Sequence, residues 1–353
     1  MGSSRNLNNI RRAKDVLKAY AGKPLKIMEV CGTHTHEIFR QGIRDMLGPD
    51  IRLISGPGCP VCVTGSSFID EACYLAQNLG ATVCSFGDLL RIPGNAGSLD
   101  DVRSRGGDVR IVYTPLDAVA YAAEHLDKQV VFLSVGFETT TPSACLALRH
   151  ARKLSLTNFS LLTANKTMDE AYKLLAQSAD AYLYPGHVCA VTGTEKLKKL
   201  TEDYGISGVV AGFTAEEILL AIATIVQKSR ENKPFLVNCY PRIVAECGNK
   251  AAQKIIDEYM TPCDALWRGL GIIPGSGLAL REKYSAYDAR RKFSLPSFAD
   301  TTPPGCRCGD VLKGVIEPKE CRLFGAACTP LNPVGACMVS QEGTCAAYYK
   351  YGH

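Results

Sequence analysis

Short apolar runs alternate with helical patterns through the first two thirds of the chain. Residues 25–30, 51–54, 82–86, 109–113, 130–135, 159–163, 182–184 and 208–211 have the pattern of buried strands. Residues 71–79, 117–126, 144–154, 168–176 and 215–225 have apolar side chains at helical spacing. This alternation is typical of parallel βαβ units, so the sequence predicts an α/β fold.

The same pattern predicts how the chain is divided. An N-terminal helix is expected in residues 1–24, and the eight strands have their midpoint near Lys128. Two α/β lobes are therefore predicted, at residues 25–127 and 128–237, with one continuous sheet as the alternative. Beyond Asn238 the alternation stops, which predicts a third, C-terminal lobe at residues 238–353.

Composition narrows the class of protein. With 353 residues, 46% of them hydrophobic and 21% charged, the chain resembles ordinary globular proteins. The net charge of +5 is not gathered into a basic block, and no apolar stretch reaches the length of a membrane span, so neither nucleic acid nor a membrane is expected as a partner. No signal peptide is visible, which favours the cytoplasm. There, sixteen cysteines are expected to be metal ligands or redox thiols more often than disulfides.

Unusual loops follow several of the predicted strands. They are Cys31-Gly-Thr-His-Thr-His36, Ser55-Gly-Pro-Gly-Cys-Pro-Val-Cys62, Phe86-Gly-Asp88, Gly136-Phe-Glu-Thr-Thr-Thr-Pro142 and Pro185-Gly-His187. Ligands of open parallel sheets bind outside the carboxyl ends of the strands. We therefore expect these polar and thiol groups to converge on one edge.

Cys59 and Cys62 form a CxxC pair before a helix expected to begin near Ser66. A helix N-terminus stabilises a thiolate, so at least one of the two thiols is predicted to have a lowered pKa. The pair suits thiol-disulfide exchange or binding of a soft metal. Two ordinary core residues are the alternative.

The loop after the first strand offers Cys31 with His34 and His36. Cys31 is a candidate nucleophile or ligand for iron or zinc, whereas each histidine is nearly as well explained as a hydrogen-bonded structural residue. Glu138 could hold a small polar ligand and Asp88 could act as an acid or base, with helix capping or a turn as the alternative for each. His187 is a weaker candidate.

The C-terminal region contains six cysteines: Cys306, Cys308, Cys321, Cys328, Cys337 and Cys345. It lacks the paired CxxC knuckles of zinc ribbons, and four thiolates from a Gly/Pro-rich loop suit an iron-sulfur cluster better. Cys306, Cys321, Cys328 and Cys345 are the predicted ligands, although Cys308 or Cys337 could replace one of them. The other cysteines are interpreted as packing residues: Cys73, Cys84, Cys145, Cys189, Cys239, Cys247 and Cys263.

Taken together and in this order, these loops resemble the HypD family of hydrogenase maturation factors. Two C-terminal strings complete the resemblance, Leu323-Phe-Gly-Ala-Ala-Cys-Thr-Pro330 and Gly335-Ala-Cys-Met-Val-Ser-Gln-Glu-Gly-Thr-Cys345. The resemblance implies two Rossmann-like parallel-sheet lobes plus a cysteine-rich iron-sulfur lobe with a [4Fe-4S] cluster. It also implies complexes with the chaperone HypC and the cyanide donor HypE, and an indirect link to the hydrogenase large subunit.

Carried over to this sequence, the resemblance makes Cys31 a ligand of iron that carries cyanide and carbonyl groups. Cys59 and Cys62 become the redox-active or iron-handling pair, and four C-terminal cysteines bind the cluster. Such a chain is a scaffold and redox protein for an Fe(CN)2CO unit, and calling it an enzyme is partly a matter of definition.

Two rival functions remain open. A thiol-disulfide reductase would use the cluster and the CxxC pair on another protein's disulfide, but it would leave Cys31, His34 and His36 without a role. A structural metalloprotein would use the metal only to stabilise the fold, which would leave the polar loops unexplained.

Overall fold

A computed structural model of the chain describes residues 2–352. The strands are β1 (Leu25–Glu29), β2 (Ile51–Ser55), β3 (Thr82–Ser85), β4 (Val109–Ile111), β5 (Val130–Gly136), β6 (Phe159–Lys166), β7 (Ala181–Pro185), β8 (Gly208–Ala211), β9 (Leu236–Asn238), β10 (Met260–Trp267) and β11 (Gly271–Leu280). The helices are α1 (Gly2–Lys18), α2 (Gly32–Arg40), α3 (Ser66–Gln77), α4 (Leu99–Ser104), α5 (Pro115–Glu124), α6 (Thr141–Lys153), α7 (Asp169–Leu174), α8 (Gly186–Thr192), α9 (Glu195–Tyr204), α10 (Ala215–Ser229), α11 (Lys250–Tyr259), α12 (Ala289–Lys292), α13 (Cys308–Leu312), α14 (Ala336–Val339) and α15 (Thr344–Tyr351).

These strands form two sheets. The first sheet has the order β2-β1-β7-β8-β9, and its strands are parallel. The second sheet has the order β10-β11-β6-β5-β3-β4. Strands β3 to β6 are parallel there, whereas β11 runs antiparallel to both β6 and β10. The protein is thus a mixed α/β structure with one parallel and one mixed sheet.

The eight predicted strands are confirmed as β1 to β8, but their grouping differs from the expected succession of four strands per lobe. Strands β1 and β2 share a sheet with β7 and β8, while β3 and β4 share one with β5 and β6. The chain leaves the first sheet after β2 and returns to it after β6. Such long crossovers have no local signature, because alternation predicts that a strand forms without specifying its neighbour. The domain boundaries stay a prediction.

Local sequence explains why the elements form where they do. All seven residues of β5 are buried, as expected for a parallel strand covered on both faces. Helix α5 begins with a reciprocal capping box between Thr114 and Asp117, with Pro115 in its first turn. Helix α10 begins in the same way, with Thr214 and Glu217 capping each other's backbone N-H groups.

The C-terminal region packs onto a core that both sheets share. One apolar cluster joins Met28 of β1 and Trp267 of β10 to Leu312 and Cys337 of the C-terminal region. Helix α15 lies against α2, where the rings of Phe39 and Tyr348 are 4.4 Å apart. The C-terminal region lacks apolar runs of its own. It is therefore stabilised partly by side chains that pack into a core formed by other parts of the chain.

Candidate functional site

Cys31 lies between the end of β1 and the start of α2. It is the N-cap residue of α2, with extended backbone, and its side chain is 3% exposed. Burial raises the pKa of the Cys31 thiol to about 12, and the nearby charge of Glu342 adds to this. The backbone N-H groups of His34 and Thr33 oppose the shift by hydrogen bonding to the sulfur. The Cys31 sulfur is therefore protonated at neutral pH. Hydrogen-bond donors that would stabilise its thiolate form are already in place.

The loops after β1 and β2 touch backbone to backbone. A β-carbon placed on Gly58 would lie 2.3 Å from the Cys31 nitrogen and 2.4 Å from its α-carbon. The backbone N-H of Gly32 donates to the carbonyl of Gly58 at 3.3 Å. Because β1 and β2 are parallel neighbours, their carboxyl ends bring Cys31 and the CxxC loop together as the sequence predicts.

Cys59 and Cys62 are in direct contact and almost fully buried. Their sulfurs lie 2.8 Å apart, and the backbone N-H of Cys62 donates to the Cys59 sulfur at 3.3 Å. Burial raises the pKa of Cys62 well above its ordinary value, so Cys62 is not a thiol with a lowered pKa. Helix α3 starts only at Ser66, and the carboxylate of Asp300 already accepts hydrogen bonds from its first turn.

Two cysteines of the C-terminal region extend this contact. The sulfurs of Cys308 and Cys337 lie 2.9 Å apart. The Cys62 sulfur donates to the carbonyl of Ala336 at 3.8 Å, and Cys62 and Cys337 lie close enough to shift each other's pKa. Cys59, Cys62, Cys337 and Cys308 thus form a continuous buried series, which we call the thiol series. The sequence presents Cys308 and Cys337 only as spare cluster ligands, since no spacing links them to a pair at least 246 residues earlier in the chain.

The other four C-terminal cysteines lie within electrostatic reach of Cys308 or of one another. Burial and the neighbouring Cys308 raise the pKa of Cys306 to about 11, and Cys321 and Cys328 contribute to the shift. Burial also raises the pKa of Cys345 well above its ordinary value, with contributions from Cys308, Cys306, Cys328 and Cys321. Within residues 2–352, however, no group of three or more potential ligands is arranged closely enough to hold a metal ion.

His34 is fully buried. Its Nε2 lies 2.8 Å from the carbonyl oxygen of Gly212, which makes Nε2 the proton donor and leaves Nδ1 without a partner. The ring stacks on Phe213 at 4.7 Å, and His187 stacks on the same ring at 4.9 Å. Burial lowers the pKa of both His34 and His187 to about 4. Both imidazoles are therefore neutral at physiological pH.

Three further polar groups lie near the Cys31 loop. The hydroxyl of Thr33 donates to the Glu342 carboxylate at 3.1 Å, and Tyr351 Oη lies 3.1 Å from His36 Nε2. Asp88 is exposed and adds to the raised pKa of Glu342. Asp88 and His36 also line a cavity of about 710 Å³. Glu342 is a residue that the sequence reasoning missed, although it stands within the string that ends at Cys345.

Glu138 lies apart from Cys31 and the thiol series. One oxygen of its buried carboxylate accepts a hydrogen bond from the Met168 backbone at 2.9 Å, and the other has no partner. Burial and the charge of Asp169 raise the pKa of Glu138 to about 7. Its cavity, of about 420 Å³, is lined by no cysteine of residues 2–352. The structure thus does not bring Glu138 and Cys31 into one pocket.

The interpretation of the remaining cysteines as packing residues holds in part. Cys84, Cys145 and Cys189 are buried in apolar clusters. Cys247, by contrast, is exposed.

The fold and the site define a class: an α/β protein whose cysteine-rich C-terminal region extends a buried pair of thiols at the carboxyl edge of a parallel sheet. The family model described as "HypD: Hydrogenase formation hypA family" matches residues 6–352. The chain belongs to the HypD family of hydrogenase maturation factors.

Similar proteins match over nearly their whole length. A putative hydrogenase expression/formation protein of Methanocaldococcus jannaschii is 42% identical, over 98% of this chain and 99% of the relative. The hydrogenase maturation factors HypD of Rhodobacter capsulatus and Escherichia coli are 41% and 39% identical, each over 98% of this chain and 94% of the relative. None of the helices in residues 2–352 is long and apolar enough to cross a membrane.

Proposed function

We propose that this chain is the scaffold and redox protein on which the Fe(CN)2CO unit of a [NiFe] hydrogenase is assembled. HypC and HypE are its partners, the hydrogenase large subunit receives the product indirectly, and the reaction takes place in the cytoplasm. Membership of the HypD family supports the general role. The observation that carries the specific role is the thiol series, which runs from the C-terminal cysteines to the loop that touches Cys31.

Cys31 is the proposed protein ligand of the iron unit, which is cargo and not a resident cofactor. Its buried thiol loses a proton when iron binds, because metals bind the thiolate. The N-H groups of Thr33 and His34 then stabilise the sulfur's negative charge. A second thiolate, from HypC, would complete a site shared by two proteins.

Cys306, Cys321, Cys328 and Cys345 would hold the [4Fe-4S] cluster. The residues fit in chemical type, since four thiols lie within electrostatic reach of one another and Val334 donates its N-H to the Cys328 sulfur at 3.3 Å. They would have to draw closer together to enclose it. When bound, such a cluster supplies single electrons at low potential.

The thiol series can itself carry out a balanced exchange. If Cys59 and Cys62 form a disulfide, the Cys337 thiolate attacks the Cys62 sulfur and Cys59 leaves as a thiolate. Cys308 then attacks Cys337 in the mixed disulfide and releases Cys62. Cys59 and Cys62 are reduced by two electrons, Cys308 and Cys337 are oxidised to a disulfide, and two protons pass to the released thiols.

A thiol-disulfide reductase acting on another protein is the second candidate. Cys59 and Cys62 are 4% and 1% exposed, and their sulfurs contact Ser340 and the Ala336 carbonyl of the C-terminal region. A protein disulfide could not reach them without displacing that region. Burial of the pair therefore counts against access by a protein disulfide, and Cys31, at 3% exposed, must likewise be uncovered before it can share iron with HypC.

The test is to purify the chain with HypC under anaerobic conditions and to record infrared spectra in the cyanide and carbonyl stretching region. Bands of both ligands are expected in the complex. Absence of the bands from an intact, iron-loaded complex that reduces protein disulfides would favour the reductase instead.

A further inference from the structure

Lys166 is a buried lysine that the proposed assembly does not use. It ends β6 at the carboxyl edge of the second sheet, opposite Gly277 of β11, and is 3% exposed. Its ammonium group donates to one acceptor, the carbonyl of Ala164 at 3.4 Å, and lies over the Trp267 ring, 5.9 Å from the ring centre. None of the ion pairs in the described part of the chain includes Lys166. Lysines are almost never fully buried without a partner of opposite charge, and the Trp267 ring does not neutralise the ammonium, so this charge calls for an anion.

The lysine lines a cavity of about 200 Å³. The cavity lies between the start of α3, the end of β6 and the β10-β11 hairpin, and Gly65, Ser67, Thr163 and Cys263 also line it. At ~30 Å³ for each water of the liquid, it has room for a molecule of about six non-hydrogen atoms. The carboxyl ends of parallel strands are where α/β proteins bind ligands.

The other charges around the cavity are already compensated or exposed. Arg290 donates two hydrogen bonds to Glu71 and one to the Thr163 carbonyl. The Asp300 carboxylate is engaged by Ser66 and the Ser67 N-H. Asp264 also lines the cavity, but it is exposed and accepts a hydrogen bond from the Gly275 N-H. Lys166 is thus a buried cation whose N-H donors are not all used, and Arg290 is a second cation beside it.

We propose that this cavity binds a small oxyanion of the carboxylate or phosphate type, held by the Lys166 ammonium. Such a ligand accepts the hydrogen bonds that Ala164 leaves unmade and supplies the missing negative charge. Neutral ligands of this size offer no counter-charge, and cations are repelled by Lys166 and Arg290. The site is separate from the proposed iron site, because neither Cys31 nor any member of the thiol series lines the cavity.

Binding should change the ionisation of Lys166. Burial lowers the pKa of Lys166 to about 8, and the charge of Arg290 lowers it further, while Cys263 and Asp300 act in the opposite direction. A bound anion favours the protonated amine, so the pKa must rise when the cavity fills. By the same linkage, the anion must bind less tightly as the pH rises above about 8.

The experiment uses the full chain with 13C-labelled lysines and follows the Lys166 Cε resonance against pH, alone and with inorganic phosphate or acetate. Lys166→Met identifies the resonance. We expect at least one of the two anions to raise the pKa at which the Lys166 resonance titrates. Calorimetry should show saturable binding of that anion with a Kd of roughly 1 mM or lower. Binding of phosphate alone identifies a tetrahedral ligand, and binding of acetate identifies a carboxylate.

The matched control is Lys153→Met, which removes an exposed lysine at the end of α6. Lys166→Met should weaken anion binding at least tenfold, whereas Lys153→Met should leave it unchanged. The proposal is overturned if neither anion moves the Lys166 titration in the wild-type chain, or if a folded Lys166→Met variant binds as tightly as the control. The titration of Lys166 in the wild-type chain does not depend on whether any variant folds.

Discussion

Gly58 approaches Cys31 so closely that a β-carbon at position 58 would lie within 2.6 Å of three Cys31 backbone atoms. The contact is with backbone, so no side chain can rotate away to make room. The loop carrying the CxxC pair is therefore fixed against the loop carrying Cys31, and the identity of residue 58 determines their spacing.

Gly58→Ala should consequently lower the free energy of unfolding by about 1–3 kcal/mol, the usual cost of overpacking. The infrared bands of the HypC complex should weaken as well, because the two loops separate. Denaturant unfolding and infrared spectra measure both effects. Gly87→Ala is the control, since its new β-carbon meets only an Ile111 methyl group at 3.9 Å. Equal stability of the two variants would contradict the argument.

Cys31→Ala should remove function without removing the fold. The variant loses one small buried group, so unfolding should stay cooperative with a cost of about 1 kcal/mol. The visible absorption of a C-terminal cluster should persist, while the cyanide and carbonyl bands of the HypC complex should disappear. Cys31→Ser should retain at most weak bands, because an alkoxide is a poorer ligand for this iron.

Cys247→Ala is the matched control for this change, since Cys247 is an exposed cysteine outside the site. It should keep the bands at full intensity. If Cys31→Ala keeps them too, Cys31 is not a required ligand and the Cys59-Cys62 pair becomes the leading candidate.

Among the C-terminal cysteines, Cys321→Ala or Cys328→Ala should abolish broad visible absorption and lower the stability of this region. Cys308→Ala or Cys337→Ala should leave most of that absorption, because these two thiols contact each other and Cys337 lies beside Cys62. Absorption spectra and metal analysis after anaerobic purification decide the matter. Zinc in place of iron would rule out the cluster.

Glu138 predicts a dependence of stability on pH. Its pKa is raised from 4.5 to about 7, so between these values the folded state holds a proton that the unfolded state releases. The group therefore stabilises the fold fully below pH 4.5, and this contribution is lost as the pH rises through about 7. Glu138→Gln removes the titrating group and keeps an acceptor for the Met168 N-H.

The difference in free energy of unfolding between Glu138→Gln and wild type should therefore change with pH. It should shift in favour of the variant by roughly 3 kcal/mol between a pH below 4.5 and a pH above about 7. Denaturant unfolding at a series of pH values measures the difference. Glu202→Gln, on the exposed face of α9, should show no such trend. A difference that does not vary with pH would mean that Glu138 titrates normally.

Much of the local structure could be predicted from the sequence, because strand and helix periodicity are local properties. The long-range pairings could not. Strand β7 adds to β1 after more than 120 residues of intervening chain have built most of the other sheet. The hairpin of β10 and β11 was missed because Pro262, Pro274 and several glycines interrupt its alternation.

The candidate site was predicted to a similar extent. Loops at the carboxyl ends of β1 and β2 follow from strand order, so the proximity of Cys31 to the CxxC pair was within reach of sequence reasoning. The contacts of Cys337 with Cys62 and of Glu342 with Thr33 were not, since they depend on how a distant region packs. The motifs predicted that Glu138 would lie at the same edge as the thiols. Instead, it follows a strand of the second sheet and lines a separate cavity.

The contact between Thr33 and Glu342 has a consequence for biosynthesis. The two residues are separated by 309 positions, so the ribosome must add 309 residues after Thr33 before Glu342, which contacts the Cys31 loop, exists. Until then the C-terminal contacts of Cys59 and Cys62 are also missing. Slow translation, or translation under oxygen, is therefore expected to increase the share of chains whose thiols react before they are enclosed.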